Sequence, residues 1–508
     1  MYNENKSMWL EGVEQNEESR PQGDLKTEIA IIGGGITGLS TALALSEQGL
    51  EVMVFEAQKV GYGATGHTTA KVSVQHGTNY SRILKSYGKE AVKKYADASK
   101  TALKKIKETI KRYNIGCDYI ETNSNVFAST KSGLDKLERE YVAVKKAGIK
   151  AKLSHRNSLP FKAYSNICIP NQGMFHPIKY LYGIARVLKE NGISIYEKTR
   201  IVEIDGEGKY VLKTDDGKKV FANKVIIATK YPILNKKGLY FSKISIERSY
   251  IIAAKMPNIE IDGYYINVEK EVRSIRTCFS QSENLFLIAG ANHETGEGGD
   301  TRRRYDELVS YAKRMDKDVE VKFRWSTQDC MSADKIPYIG KLSEDMPNLY
   351  ISTAFNKWGM THSMVSAIML TNSILLKDNP WSDVFCPSRK LSLDAKKELI
   401  FKGVDVAGDY IKSVLPIKAK DFSEIRKGEG GVFEFHGDAL GVYKNENGEI
   451  FAVNPKCKHL GCRLVFNTAE KTWDCPCHGS RYTIRGEVIE APAVLPLDVK
   501  NMKSDEIT

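Results

Sequence analysis

Two short segments near the C-terminal end constrain this chain more than anything else in it. They are Cys457-Lys-His459-Leu-Gly-Cys462 and, sixteen residues after His459, Cys475-Pro-Cys477-His478-Gly-Ser480. Each offers a thiolate and an imidazole two or three residues apart. Cys457 and Cys475 on one iron, with His459 and His478 on the other, supply the mixed ligand set of a [2Fe-2S] cluster that carries electrons singly. Two Cys and two His also suit tetrahedral zinc, but zinc fingers group cysteines before histidines, whereas here the two types alternate. The surrounding residues, from about 426 to 508, alternate apolar and polar side chains between Gly- and Asn-rich turns, as in VFEFHGDALGVYKNENGEIFAV, and read as all-β.

The opposite end carries a second constraint. Leu25 to Glu56, containing IAIIGGGITGLSTALALSEQGLEVMVFE, reads as strand, tight turn, helix, strand. Gly33, Gly35 and Gly38 have the G-x-G-x-x-G spacing: the first permits the turn, the second lets a pyrophosphate approach the backbone, and the third lets helix and strand pack closely. The helix then begins at Ile36 and Thr37 with its N–H groups toward the phosphates. Glu56 ends the second strand, where a carboxylate binds ribose hydroxyls. The complete unit points to a dinucleotide.

After Glu56 comes Gly61-Tyr-Gly63-Ala64-Thr65-Gly66-His67-Thr68-Thr69. This small-residue loop resembles the second signature of the D-amino-acid oxidase and glycine oxidase superfamily of FAD enzymes. The resemblance implies that Ala64, Thr65 and Thr68 run along the FAD pyrophosphate toward the isoalloxazine. Gly173-Met-Phe-His-Pro177, followed by a helix and EKTRIVEI, resembles the entry to the strand that touches adenine, near Val202. VIIATK (225–230) resembles the family's V-I-x-A-T-G, with Thr229 at the cofactor and Lys230 in place of Gly, which leaves the form of that turn open. Asp334-x-x-Pro337-x-x-Gly340 and Trp358-Gly359-Met360-Thr361 resemble the terminal FAD motif, whose helix N-terminus stabilises negative charge on the reduced ring. The resemblance spans about 28 to 376.

CKHLGC and CPCHGSRY closely resemble the Rieske proteins of cytochrome bc complexes. That implies a disulfide between Cys462 and Cys477, and hydrogen bonds from Ser480 and Tyr482 to a bridging sulfide and a ligand sulfur, which raise the potential. Such a disulfide is unusual in a reducing cytoplasm. Rieske oxygenases lack that pair and need a mononuclear iron held by two histidines and a carboxylate. None of His67, His76, His155, His176, His293, His362 and His436 forms a convincing pair with an acid nearby.

The expected fold is therefore α/β, a Rossmann-like FAD-binding domain with an interleaved α+β substrate domain, plus a C-terminal all-β Rieske domain. Expected boundaries are a polar lead-in at 1–26, an oxidoreductase domain at 27–376, a Pro-containing connector at 377–425, and the Rieske domain at 426–508. Within the oxidoreductase domain, about 27–75, 195–232 and 321–376 form the FAD-binding parts, and about 160–195 and 233–320 the substrate part. No apolar run approaches the roughly 18 residues that span a bilayer, and no basic-then-apolar leader is present, so the cytoplasm is the expected location. The net charge is +12, with many lysines between Lys85 and Lys150. Apolar residues there recur at helical spacing, which predicts an amphipathic helix with a solvated basic face. An acidic redox partner or an anionic substrate is the alternative, and no nucleic-acid motif accompanies the charge.

Substrate residues are the least defined. Arg276, in VRSIRTC, can bind a carboxylate bidentately, or stand exposed on a strand as most arginines do. Lys357 and His362 flank the last FAD motif and are expected to face the flavin or support it. Cys330 lies near where some sarcosine oxidases tether flavin, but at a poorly matching offset. The whole reading is an FAD-dependent dehydrogenase that oxidises a C–N bond of an amine or amino acid and sends electrons through the Rieske cluster to an external one-electron acceptor. The alternatives are a redox-sensing flavo-iron–sulfur protein without turnover, or an enzyme fed electrons through the cluster.

Overall fold

Three strands, Leu25–Ile32, Lys219–Ile227 and Leu349–Thr353, pair in parallel at the centre of one sheet, and the apolar ends of the first two, at 29–32 and 225–227, are buried on both faces with the whole of the third. The computed structural model describes residues 6–12, 20–234, 237–280, 283–297, 299–414, 425–435 and 437–500. Parts of the lead-in (1–5, 13–19) and of the connector (415–424), and His436, lie outside the described residues. The sheet runs Tyr338–Lys341, Leu349–Thr353, Lys219–Ile227, Leu25–Ile32, Val52–Phe55, Ser194–Tyr196, with a ribbon of Ile201–Asp205 and Tyr210–Thr214 attached to Lys219–Ile227. The helices Ile36–Ser46 and Gly359–Ile374 pack against each other in the core, so both are apolar nearly all round.

A second, mixed sheet stands over the first. Its order is Glu320–Ser332, Ile244–Lys255, Glu283–Glu294, Arg273–Ser280, Tyr264–Asn267, Ile120–Ala128, Ser165–Met174, Lys71–Val72, with Lys152–Ser154 beside Ser165–Met174. Segments 27–75 and 321–376 thus each send a strand into this sheet as well as into the first.

The lysine-rich segment begins in Asn79–Arg112, two helices joined at Gly88, where φ is +81°; they bury Ile83, Val92, Tyr95, Ala96, Leu103 and Ile106. Its lysines stay outside and pair across the surface, as Lys94 does with Asp383, so the face is solvated. The connector contains the helix Leu393–Val414. Among the described residues, no helix is long and apolar enough to cross a membrane.

The C-terminal domain is all antiparallel. One sheet holds Gly430–Phe435, Asp438–Lys444 and Ile450–Val453; the other holds Val465–Asn467, Thr472–Asp474, Arg481–Thr483 and Val488–Glu490. Trp473 and Leu464 are fully buried in its core, beside the four cysteines.

Candidate active site and metal centre

A cavity of about 550 Å³ lies between the two large sheets, within the range of small-molecule and cofactor sites. One end is the glycine turn, with Gly33, Gly35, Ile36 and Thr37 in its wall. Gly33 has φ +115°, and a Cβ there would stand 2.7 Å from the Ala228 carbonyl oxygen. Gly38 lies behind the wall, where a Cβ would meet the Gly33 carbonyl oxygen at 1.9 Å. The spacing is thus a packing requirement as well as a ligand cradle. Gly35 begins the helix with no side-chain cap, which leaves that terminus open to an anion. Glu56 lines the cavity and accepts from Gly34 N at 2.7 Å and Gln58 N at 2.8 Å. Burial raises its carboxyl above the usual range despite those bonds.

The other expected cofactor positions fall along the same space. Ala64, Thr65, Thr68 and Thr229 line it. Thr65 Oγ1 also accepts from Ile36 N at 3.1 Å, tying the second loop to the first turn. Thr199, Arg200 and Ile201 form the wall where Val202 was expected, and Val202 itself is set back. At the far end, Lys357, Trp358, Gly359 and Met360 line the cavity. They are delivered by a turn in which Ala354, Asn356 and Lys357 all have positive φ. Such residues persist only where the surroundings over-determine them. Here the Asn356 side chain bonds Ala354 O at 2.6 Å and Ser332 N at 3.0 Å. Thr361 is buried beneath, where its hydroxyl donates to Ser73 O at 2.8 Å. A dinucleotide with a flavin head fits these residues: an uncapped helix start at one end, a carboxylate beside it, and a second uncapped helix start at Trp358 at the other.

The structure separates the three expected substrate residues. Lys357 lines the cavity but pairs with Glu247 at 2.6 Å and donates to Ser249 Oγ at 3.0 Å. Burial works to raise Glu247, but Lys357 outweighs it and holds the carboxyl below its usual range. His362 is fully buried behind the wall among His76, Tyr95, Phe355 and Phe385. Burial lowers it to about 3, which keeps it neutral. Arg276 is neither exposed nor in the wall. Its guanidinium donates to Thr69 O at 2.7 Å, Ala70 O at 2.8 Å and Thr277 O at 2.9 Å, buttressing the turn at Ala70, where φ is +51°. Lys71, which the sequence did not single out, reaches the cavity instead. Cys330 faces away from the cavity that its neighbours Asp329 and Met331 line, in a core with Tyr231 and Tyr240. Burial raises its thiol to about 12, the state of an inert thiol.

The cluster segments fold as two facing loops. In the first, Cys457 N donates to Cys462 O at 2.8 Å; in the second, Cys475 N donates to Ser480 O at 2.8 Å and Gly479 N to Cys475 O at 2.9 Å. A disulfide joins Cys462 to Cys477 across them. The sulfurs of Cys462, Cys475 and Cys477 lie within 4.8 Å of one another; two are bonded together, which leaves Cys475 with Cys457 to supply thiolates. The His459 and His478 rings meet edge to face with centroids 4.9 Å apart. His478 is 6% exposed, and its Nδ1 is buried without a protein partner, as suits a metal ligand. The neighbouring Cys475 thiol and the Tyr482 hydroxyl, at 3.5 Å from the Cys457 sulfur, both lower the Cys457 thiol. Two thiols and two imidazoles gathered this way fit a two-iron cluster.

The two sites adjoin. Ile489, Glu490, Ala491 and Val494 of the C-terminal domain form part of the cavity wall. Glu490 pairs with Lys230 at 2.9 Å and Arg481 at 3.3 Å. Gln328 Nε2 donates to Gly479 O at 2.8 Å, one residue past His478, and Gln328 is itself held by buried Arg248 at 3.1 Å. A Cβ on Gly479 would meet Ile246 Cγ2 at 2.6 Å, and one on Gly296 would meet Pro476 Cα at 2.4 Å. The cluster loop is seated on the second sheet at backbone-contact range.

Residues 28–373 match the FAD dependent oxidoreductase family, DAO, and residues 416–502 match the Rieske [2Fe-2S] domain. The Rieske 2Fe-2S iron-sulfur protein YhfW of Bacillus subtilis is 34% identical over 477 residues, 94% of either chain. The gamma-glutamylputrescine oxidoreductase of Escherichia coli is 23% identical over 355 residues, 66% of this chain and 80% of that one. Glycine oxidase from Geobacillus kaustophilus superposes over 72% of this chain and 100% of its own with a TM-score of 0.60. At 17% identity that likeness speaks for the fold alone. Family match, cavity and facing loops agree: the chain belongs to the DAO family of FAD dependent oxidoreductases and carries a Rieske [2Fe-2S] domain at its C-terminal end.

Proposed function

We propose that this oxidoreductase removes two electrons from a C–N bond of an amine or amino acid at FAD and passes them singly through the Rieske cluster to an external acceptor. The observation that carries the reading is the seating of the cluster loop against the cavity wall, through Gln328 to Gly479 and Lys230 to Glu490. An oxidase that delivers electrons to O₂ needs no such arrangement. The E. coli relative named for gamma-glutamylputrescine points to a C–N substrate.

Bound FAD would supply two-electron acceptance with one-electron release, and the cluster a one-electron relay. The chain's own residues do the positioning. The turn at Ala354–Lys357 presents Trp358 and the start of the following helix, whose N-terminal amides favour negative charge. Ser249, Asn267, Ser274 and Asn292 supply polar groups on the opposite wall. The buried Arg248 and Gln328 hold the cluster loop there. The substrate loses two electrons and two protons and leaves as an imine.

The test is anaerobic addition of amines and amino acids to FAD- and cluster-loaded protein. The expected result is bleaching of flavin absorbance together with a reduced-Rieske EPR signal. Bleaching without cluster reduction defeats the relay. Absence of bleaching across the screen, with redox cycling only in the presence of partner proteins, favours a carrier or sensor instead.

A further inference from the structure

The cations in the cavity wall are balanced, with one exception. Lys230 pairs with Glu490, and Lys357 with Glu247. Lys335 faces Glu398 at 3.9 Å, and Arg200 lies in the field of Glu56 and Asp215. Lys71 has no acid. It is 8% exposed, its Nζ bonds the hydroxyl of Ser274, and among the described residues no carboxylate forms an ion pair with it. The charge acting on it is that of Arg276, another buried cation, whose hydrogen bonds go to backbone carbonyls. Two buried positive groups without a counter-ion are costly to keep in a folded protein. They become favourable once an anion enters beside them.

We propose that Lys71, backed by Arg276 and oriented by Ser274, is the carboxylate-recognition site of the cavity, so that the substrate is an amino acid or other carboxylate-bearing amine and not a simple alkylamine. This rests on the proposed C–N chemistry and narrows it. The geometry gives each residue a distinct part. Strand Lys71–Val72 lies at the sheet edge beside Ser165–Met174 and points Lys71 into the cavity. Ser274 in the strand Arg273–Ser280 fixes the amine from across the cavity end. Arg276, one pleat further along, holds the Thr69–Ala70 carbonyls and thereby the backbone that carries Lys71. Arg276 acts through Lys71 and is a positioning residue. Burial is the chief reason that Lys71 drops to about 7; a bound carboxylate acts in the opposite sense and restores the protonated amine.

The experiment compares a carboxylate with its uncharged isostere, cyclohexanecarboxylate and cyclohexanecarboxamide, by calorimetry on FAD- and cluster-loaded protein at pH 6.5. Wild type is expected to bind the carboxylate at least about tenfold more tightly, the scale of one charge-assisted contact. Lys71→Met is expected to abolish the preference and Lys71→Arg to retain part of it. FAD content and the cluster EPR signal verify that each variant is folded, and Ser274→Ala, with the amine kept but no longer oriented, should lower the preference by a smaller factor. Equal binding of the two probes by wild type, or a preference that survives in Lys71→Met, overturns the assignment. So does a fall in flavin potential in Lys71→Met with the ratio unchanged, since the amine would then serve the flavin. Uncharged amines that bleach the flavin, with no carboxylate preference, would leave the C–N reading standing and sink this one. A clear preference with no amine or amino acid ever bleaching the flavin would do the reverse.

Discussion

Tyr482→Phe removes one hydroxyl from beside the cluster and little else. The ring is fully buried, and its oxygen lies 3.5 Å from Cys457 Sγ while accepting from Lys458 N at 3.1 Å. With a lone pair taken by the amide, the hydroxyl proton is free to point at the sulfur. A hydrogen bond to a charged acceptor contributes about 1.5–3 kcal/mol, against about 0.5–1.5 for a neutral pair. Reduction adds one negative charge to the cluster, so the bond strengthens by roughly the gap between those ranges, about 1–1.5 kcal/mol. For a one-electron couple, a factor of ten is about 59 mV, so the variant's midpoint potential should fall by about 45–65 mV. An EPR-monitored redox titration of the full chain reads this directly. Ser480→Ala should move in the same direction: the Ser480 oxygen accepts from Ala493 N at 3.0 Å, which again leaves its proton free for the cluster side. A potential that rises, or moves by less than about 15 mV with iron and FAD contents intact, refutes the argument that Tyr482 donates to the thiolate.

Gly38→Ala should yield protein without FAD, because its Cβ would stand 1.9 Å from the Gly33 carbonyl oxygen; a full flavin-to-protein absorbance ratio would contradict this, and an unchanged Rieske EPR signal would show that the damage is local. Lys230→Met should speed amide exchange over residues 488–494 about tenfold and Glu490→Gln by more, since Glu490 also pairs with Arg481 and Arg248, and the double variant should match Glu490→Gln, which already lacks the Lys230 pair. Lys230→Gly should cost less than Lys230→Met, because glycine relieves a φ of +66°, worth about 1 kcal/mol. Carboxylate affinity should hold level below pH about 7 and fall above it, since Lys71 titrates near 7 in the free protein and only the protonated amine attracts the anion. The neighbouring Tyr264 is raised to about 12 and His76 is pushed well below its usual value, both by burial, so neither titrates across a calorimetric series from pH 6 to 9; affinity rising with pH would contradict the sign.

What the sequence made legible was local. Each cluster loop closes on its own backbone bonds over a few residues, Cys457 to Cys462 and Cys475 to Ser480, so the residues that shape it are adjacent in the chain. The glycine turn is readable for the same reason. Its third glycine is dictated by a carbonyl only five residues earlier. The substrate wall is different, because strand alternation and register decide it. On Glu320–Ser332, Asp329 and Met331 line the cavity while Cys330 between them points into the opposite core. On Arg273–Ser280, Ser274 and Arg276 share a face, yet only Ser274 reaches the cavity, because Arg276 has passed beneath the Thr69–Ala70 turn. A one-residue change of register would exchange these roles, and nothing in VRSIRTC states the register. Lys71 was hidden in the same way. It follows the flavin loop in sequence, but its lack of an acidic partner is a property of the folded neighbourhood.

Lys230 shows how a departure from a pattern can carry information. Glycine at that position suits a left-handed turn, and the backbone here keeps that turn, with φ +66°, although lysine is strained there. The strain alone would argue against lysine. The side chain supplies the reason: it reaches Glu490, 260 residues away in the chain, at the point where the Rieske domain forms part of the cavity wall. Glu490 is also held by Arg481 from its own domain and lies 3.8 Å from Arg248 of the second sheet. A carboxylate held from both sides of a domain boundary resists sliding in either direction. Together with the Gln328 bond to Gly479, it fixes the cluster loop against the sheet that roofs the cavity. A freely swinging Rieske domain would have no use for a strained lysine in the flavin domain, whereas the proposed relay, at fixed length, does.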